Sequence, residues 1–169
     1  MKLDDKEIGQ LLDTMAGQLQ KTLAEAGRDD PLIIGIHTGG YWIAQKLQQR
    51  LVSKPPLGEL NIAFYRDDFS RIGMHPTVTP TKLPFDIENR HIILVDDVLH
   101  TGRTIRAAMN EIFDYGRPAS ITLVALLERA GHELPIRADI TGKTARLKPG
   151  QYAKLSGPEP LSLEIKQAQ

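Results

Sequence analysis

The sequence predicts an α/β domain. Short apolar, β-branched runs of strand length alternate along the chain with apolar residues at helical spacing. One of those runs passes through two carboxylates and a Gly-containing, hydroxyl-rich loop directly into a helix. Residues 92–104 read Ile-Ile-Leu-Val-Asp-Asp-Val-Leu-His-Thr-Gly-Arg-Thr. Ile92 to Val95 have the make-up of a strand buried on both faces. From Ile105 the apolar residues switch to helical spacing at Ile105, Ala108, Met109, Ile112 and Phe113.

The other elements follow in order. Asp4 or Asp5 caps a first helix with the apolar face Ile8, Leu11, Leu12, Met15, Leu19 and Leu23, and Gly27 stops it. Leu32 to Ile36 make a buried strand, followed by His37-Thr38-Gly39-Gly40 and a helix carrying Trp42, Ile43, Leu47 and Leu51. Trp42 is read as packing that helix onto the sheet. Lys54 to Gly58 break the pattern before a strand at Leu60 to Tyr65. Residues 69–90 hold three prolines and little periodicity, so they read as a long flexible loop or hairpin. Gly116 and Pro118 end the central helix, Ile121 to Leu127 supply another strand, and residues 151–166 form a C-terminal hairpin. A single domain over 1–169 accounts for the whole length.

Composition narrows the class. Hydrophobic content of 41% and charged content of 25% are those of a globular protein. Lys plus Arg equals Asp plus Glu at 21 each, so no overall basic charge points to nucleic acid. With no cysteine, a disulfide scaffold and a Cys-based metal site or nucleophile are excluded. The histidines at 37, 75, 91, 100 and 132 show no metal-ligand spacing, so no direct protein-held metal is expected. No apolar stretch reaches membrane-spanning length and the polar start is no secretory signal, so the expectation is a cytoplasmic protein without a membrane partner.

The order of chemistries in 92–104 describes a site for a phosphorylated sugar. A loop between a strand's carboxyl end and a helix's amino end offers free backbone N–H groups and the positive end of the helix dipole to a phosphate. Thr101 and Thr104 add hydroxyls, Gly102 lets the main chain come close, and Asp96 and Asp97 suit vicinal ribose hydroxyls. Rossmann and P-loop proteins also place phosphate there, but Gly-x-Gly-x-x-Gly and Gly-Lys-Ser/Thr are both missing. An Asp-Asp or a Thr-Gly alone would read as ordinary loop acids or a cap; the ordered string is far more specific. It resembles the phosphoribosyl-pyrophosphate (PRPP) motif of type I phosphoribosyltransferases.

More of the chain is similar to one family. Tyr65-Arg66-Asp67-Asp68, Val95 to Thr104, Gly116-Arg117-Pro118, Glu133-Leu134-Pro135-Ile136-Arg137-Ala138-Asp139 and Gly142-Lys143 together resemble the PyrR family, bacterial pyrimidine-operon regulators that are also uracil phosphoribosyltransferases. The resemblance implies a central parallel sheet flanked by helices with a small hood, and conversion of uracil and PRPP to UMP and pyrophosphate with Mg2+ carried on PRPP. It assigns Asp96 and Asp97 to the ribose and its developing charge. Val98, Leu99, His100, Thr101, Gly102, Arg103 and Thr104 fall to the 5′-phosphate, Thr38, Gly39 and Gly40 to pyrophosphate, and Arg129 to the base end. Arg66, Asp67 and Asp68 fall at the start of the hood loop. It further implies a homodimer or higher homo-oligomer.

Two departures qualify this. The family's pyrophosphate loop usually reads Thr-Arg-Gly, whereas this chain has Thr38-Gly39-Gly40, without a guanidinium to pair with the leaving group. Loss of one such donor costs on the order of 10² to 10³ in rate in comparable electrostatic sites. Restoring it by Gly39→Arg is therefore expected to raise turnover, and Arg66, Arg103 and Lys82 are the candidate substitutes. The second departure concerns nucleic acid. Residues 1–30 carry four bases and seven acids, whereas 129–154 carry six bases and two acids. RNA or DNA binding is thus expected, if anywhere, around His132, Arg137 and Lys143. Two functions fit: a uracil phosphoribosyltransferase and pyrimidine regulator, or a catalytically inactive nucleotide sensor acting through DNA, RNA or a protein.

Overall fold

The computed structural model describes residues 1–62 and 80–168. In chain order the elements are β1 (Lys2–Leu3), α1 (Asp5–Glu25), β2 (Leu32–Ile36), α2 (Gly39–Arg50), β3 (Leu57–Leu60), β4 (His91–Leu99), α3 (Arg103–Tyr115), β5 (Ser120–Arg129), β6 (Ile140–Ala145), β7 (Gln151–Ser156) and β8 (Ser162–Gln167). Five strands form a sheet in the order β3-β2-β4-β5-β6 with every neighbouring pair parallel. A second, antiparallel sheet has the order β1-β8-β7.

Side-chain alternation divides the core. Ile33, Ile93, Val95, Val124 and Leu126 pack with Leu12, Met15 and Leu19 of α1 and Ile43 and Leu47 of α2. Leu32, Ile34, Ile92, Leu94, Leu123 and Ala125 pack with Ile105, Ala108 and Ile112 of α3. Helices therefore cover both faces, as the continuous apolar character of β2 and β4 requires. Each buried Leu or Ile contributes about 1.5–3 kcal/mol of transfer free energy.

Local signals account for the helix ends. Asp4 accepts from the Glu7 amide at 2.8 Å while Glu7 accepts from the Asp4 amide at 2.9 Å, a reciprocal box that starts α1. Gly27, at φ 63°, follows the helix as a stop. Pro55 and Pro56 break the chain, but β3 runs over Leu57–Leu60 and so ends where the strand expected at Leu60 to Tyr65 was to begin; residues 63–65 lie outside the described residues. β3 starts at Leu57 because Ile33 N donates to Pro56 O at 3.0 Å and sets the parallel register. Of the expected loop 69–90, the stretch 80–90 is tied down by a Glu59–Lys82 bridge and by buried Ile87.

Four further points differ from the expectation. β4 runs through Asp96, Asp97, Val98 and Leu99, because β5 continues alongside and pairs Asp96 with Ala125 and Leu99 with Glu128. β6 and β1 carry no apolar run and were not anticipated. Phe113 is 55% exposed, so it is no part of the core face of α3. Trp42 packs on the hairpin: a side chain at Gly157 would stand 2.9 Å from its ring. The hairpin is fixed there by Leu155, Leu161 and Leu163 in the α1/α2 core and by Leu161 N donating to Asp5 Oδ1 at 2.8 Å.

Candidate phosphoribosyl site

Parallel strands place the loops after β2, β4 and β5 at one edge of the sheet. Two of them meet closely. Gly39 and Gly40 open α2 against the end of β4, with a cis peptide between His37 and Thr38. A Cβ at position 40 would stand 2.6 Å from Val95 O, and a Cβ at 39 would strike the Asp97 carboxylate, with Asp97 Cγ at 2.7 Å. Gly40 is thus required where α2's first turn meets the backbone of β4, whereas a side chain at 39 would have to displace the Asp97 carboxylate. An arginine at 39 is accommodated only if the Asp97 side chain shifts to make room for it.

The two carboxylates are not equivalent. Asp96 is 2% exposed and its Oδ1 accepts the Asp97 amide at 2.9 Å. Asp97 is partly exposed and its Oδ1 accepts the Val98 amide at 3.0 Å. Asp96 is thus the more buried of the two and holds the Asp97 amide, and Asp97 is the more exposed. Val98 and Leu99 belong to β4, and the Leu99 side chain is buried in the α3 core.

His100 to Gly102 join β4 to α3. Gly102 sits at φ 96° as the cap of α3, which has no side-chain cap hydrogen bond. The Arg103 amide donates to Thr101 Oγ1 at 3.2 Å. Thr104 lies inside the helix. Asp96, His100, Thr101, Gly102 and Thr104 line a recess of about 70 Å³, with Val98, Leu99 and Ile105. That is the scale of one group, not of a whole ligand. The start of a helix carries backbone N–H groups and the positive end of its dipole, which suit an anion.

The remaining predicted residues are distributed unevenly. Arg129 ends β5 with its Nε buried and without a partner. His132 is turned inward, 13% exposed, with Nε2 3.1 Å from Glu128 Oε1, which separates it from a cationic outer surface. Arg137 is exposed and donates to the Ile136 carbonyl at 3.0 Å, and Lys143 is exposed on β6. Arg103 is held by Glu133 at 2.9 Å, and Lys82 is exposed beside β3. Arg66, Asp67 and Asp68 lie outside the described residues. Sequence reasoning missed Glu133 and the His37–Glu59 pair, 2.5 Å between Nδ1 and Oε1, in which the ring donates to the carboxylate. Neither pairing has a local signal, since the partners sit on neighbouring segments. Among the described residues no group of three or more His, Cys, Asp or Glu could hold a metal ion, and no helix is long and apolar enough to cross a membrane.

The parallel sheet, the carboxylates Asp96 and Asp97 near the end of β4 and the Gly-containing loop at the start of α3 are those of a type I phosphoribosyltransferase. Residues 3–151 match the family model of the phosphoribosyl transferase domain. A hypoxanthine-guanine phosphoribosyltransferase from Bacillus anthracis shares the fold at TM-score 0.70 and 14% identity, covering 90% of this chain and 86% of its own. A Trypanosoma cruzi hypoxanthine phosphoribosyl transferase does so at 0.67 and 21%, covering 87% and 78%. Closer relatives narrow the class. The bifunctional protein PyrR of Nitrosococcus oceani is 59% identical over 160 residues, 94% of this chain and 90% of its own. That of Pseudomonas syringae pv. tomato is 55% identical over 156 residues, 92% of each. The chain belongs to the PyrR family.

Proposed function

We propose that this protein makes UMP and pyrophosphate from uracil and PRPP and serves as a pyrimidine regulator of the PyrR type. The single observation that carries the catalytic part is the contact of Gly39 and Gly40 with Asp96 and Asp97 beside the open start of α3. It brings a carboxylate, a Gly-rich turn and a phosphate receptor together. The C1′–oxygen bond to pyrophosphate breaks as N1 of uracil bonds to C1′, and the N1 proton passes to solvent.

In such a dissociative transfer little covalent work falls to the protein, and rate comes from holding phosphates and matching developing charge. His100 to Thr104 anchor the 5′-phosphate. Asp97 faces the ribose hydroxyls and the positive charge that grows on the ring. The turn at Thr38 to Gly40 cradles pyrophosphate through main-chain groups, since Gly39 and Gly40 offer no side chain. Arg129, with its buried unpartnered Nε, serves the base end. Mg2+ carried with PRPP would supply positive charge against the departing diphosphate, and the partly exposed Asp97 carboxylate is a hard oxygen donor of the kind it takes.

The reading without catalysis rested on the missing Arg at 39. It is disfavoured by the similarity, at 55% and 59% identity, to relatives that are bifunctional PyrR proteins. UMP and PRPP as ligands place the protein in the cytoplasm, and RNA is the regulatory partner proposed, reached through Arg137 and Lys143. Purified protein with PRPP and Mg2+ should form a nucleotide from uracil and not from hypoxanthine or guanine, as read by chromatography. Turnover of the purines in preference to uracil would overturn the substrate assignment.

A further inference from the structure

Glu133 stands outside the phosphate motif, in the segment 130–139 that joins β5 to β6, yet it grips the motif's loop. The amides of Glu133 and Leu134 both donate to the Thr101 carbonyl, each at 3.0 Å. Glu133 Oε2 accepts Arg103 Nε at 3.2 Å and Nη2 at 2.9 Å. Between these two anchors, a Cβ at Gly102 would meet Leu134 Cβ at 3.2 Å and Ile136 Cβ at 3.3 Å. Three consecutive residues at the start of α3 thus touch one segment: 101 through its carbonyl, 102 through packing, and 103 through its guanidinium.

The consequence follows from peptide geometry. The Thr101 C=O and the Gly102 N–H belong to one planar unit and, in a trans peptide, point opposite ways. Two donors that pin the carbonyl towards the segment aim the Gly102 N–H away from it. They also polarise that unit, so the N–H becomes a stronger donor. By reciprocity, an anion on the Gly102 N–H makes the Thr101 carbonyl a better acceptor and tightens the segment.

We propose that Glu133 is a positioning residue that joins the phosphate loop to segment 131–137, so that a phosphate held by the loop stiffens that segment and the exposed Arg137 at its end. The inference rests on the proposed phosphoribosyl site. Phosphate occupancy is then read at a surface on the far side of the loop, beyond the ligand itself.

The test combines UMP calorimetry, amide hydrogen exchange and PRPP kinetics on the full chain. In the wild type, UMP should slow exchange at Glu133 and Leu134 at least about threefold. Glu133→Ala should raise KM for PRPP about two- to fivefold, the range of an exposed ion pair, with kcat retained, and should blunt the slowing at Leu134. Glu133→Gln keeps an oxygen acceptor for Arg103 and should restore most of both. If UMP binds but the two amides do not respond, or if Glu133→Ala leaves KM for PRPP unchanged, the proposal fails while the site stands. If the wild type does not bind UMP, the site reading fails and this proposal with it.

Discussion

The α-carbon of Gly39 lies against the carboxylate of Asp97 so closely that a Cβ there would be 2.7 Å from Asp97 Cγ and 3.1 Å from its Cβ. The turn that opens α2 and the end of β4 are therefore one unit. A change in either residue acts on the other.

Gly39→Ala and Gly39→Arg should both lower kcat/KM for PRPP, by on the order of 10²-fold, since a displacement of about 1 Å at a reacting centre has that cost. Circular dichroism should show the fold intact. A rise in turnover with Gly39→Arg would mean that Asp97 yields freely and that the guanidinium was the missing group after all.

Asp96 and Asp97 should separate by kind of effect. Asp96→Ala removes a buried acceptor from the Asp97 amide and should cost about 1–3 kcal/mol of stability in urea unfolding. Asp97→Asn should cost little stability but weaken UMP and PRPP. Equal destabilisation by the two would contradict the division into a buried and a ligand-facing carboxylate.

Gly102→Ala places a side chain at φ 96° and 3.2 Å from Leu134 Cβ. It should destabilise the protein by about 1–2 kcal/mol and raise KM for PRPP more than it changes kcat. Thermal unfolding and steady-state kinetics check the two halves of this statement.

Lys2 and Glu164 join β1 to β8 at 2.8 Å, with Lys166 3.8 Å from the same carboxylate. The Lys2 hydrogen bond and charge hold the Glu164 carboxyl below the usual carboxylate range, and Glu164 likewise raises the Lys2 ammonium. The carboxylate's contribution is present above its unfolded pKa and is lost as pH falls through the lowered folded value. That of Lys2 is lost only as pH rises through its raised value. An NMR titration should find Glu164 titrating low and returning upward in Lys2→Gln.

Much of this was legible in the sequence, for physical reasons. The Asp4-x-x-Glu7 box, the apolar stripe of α1, the short strand at Leu32 to Ile36 and the strand-to-helix motif all express local preferences. β6 was not legible because it is an edge strand carrying Thr141, Gly142, Lys143 and Thr144. Its pairing comes from β5 and its close packing from Gly142 against Met15 of α1. The extension of β4 through the carboxylates depends likewise on a neighbour. The candidate site divides in the same way. Asp96, Asp97 and the Thr101 to Thr104 loop are contiguous and readable, whereas the fit of Gly39 under Asp97 and the grip of Glu133 on Thr101 and Arg103 join distant parts of the chain.

The most direct measurement is to titrate isotope-labelled protein with UMP and map amide shifts. The phosphoribosyl site predicts saturable changes centred on Thr38 to Gly40 and Asp97 to Thr104, shifted to higher UMP concentration in Asp97→Asn with the fold retained. Changes confined to other surfaces, or none at saturating UMP, would contradict it.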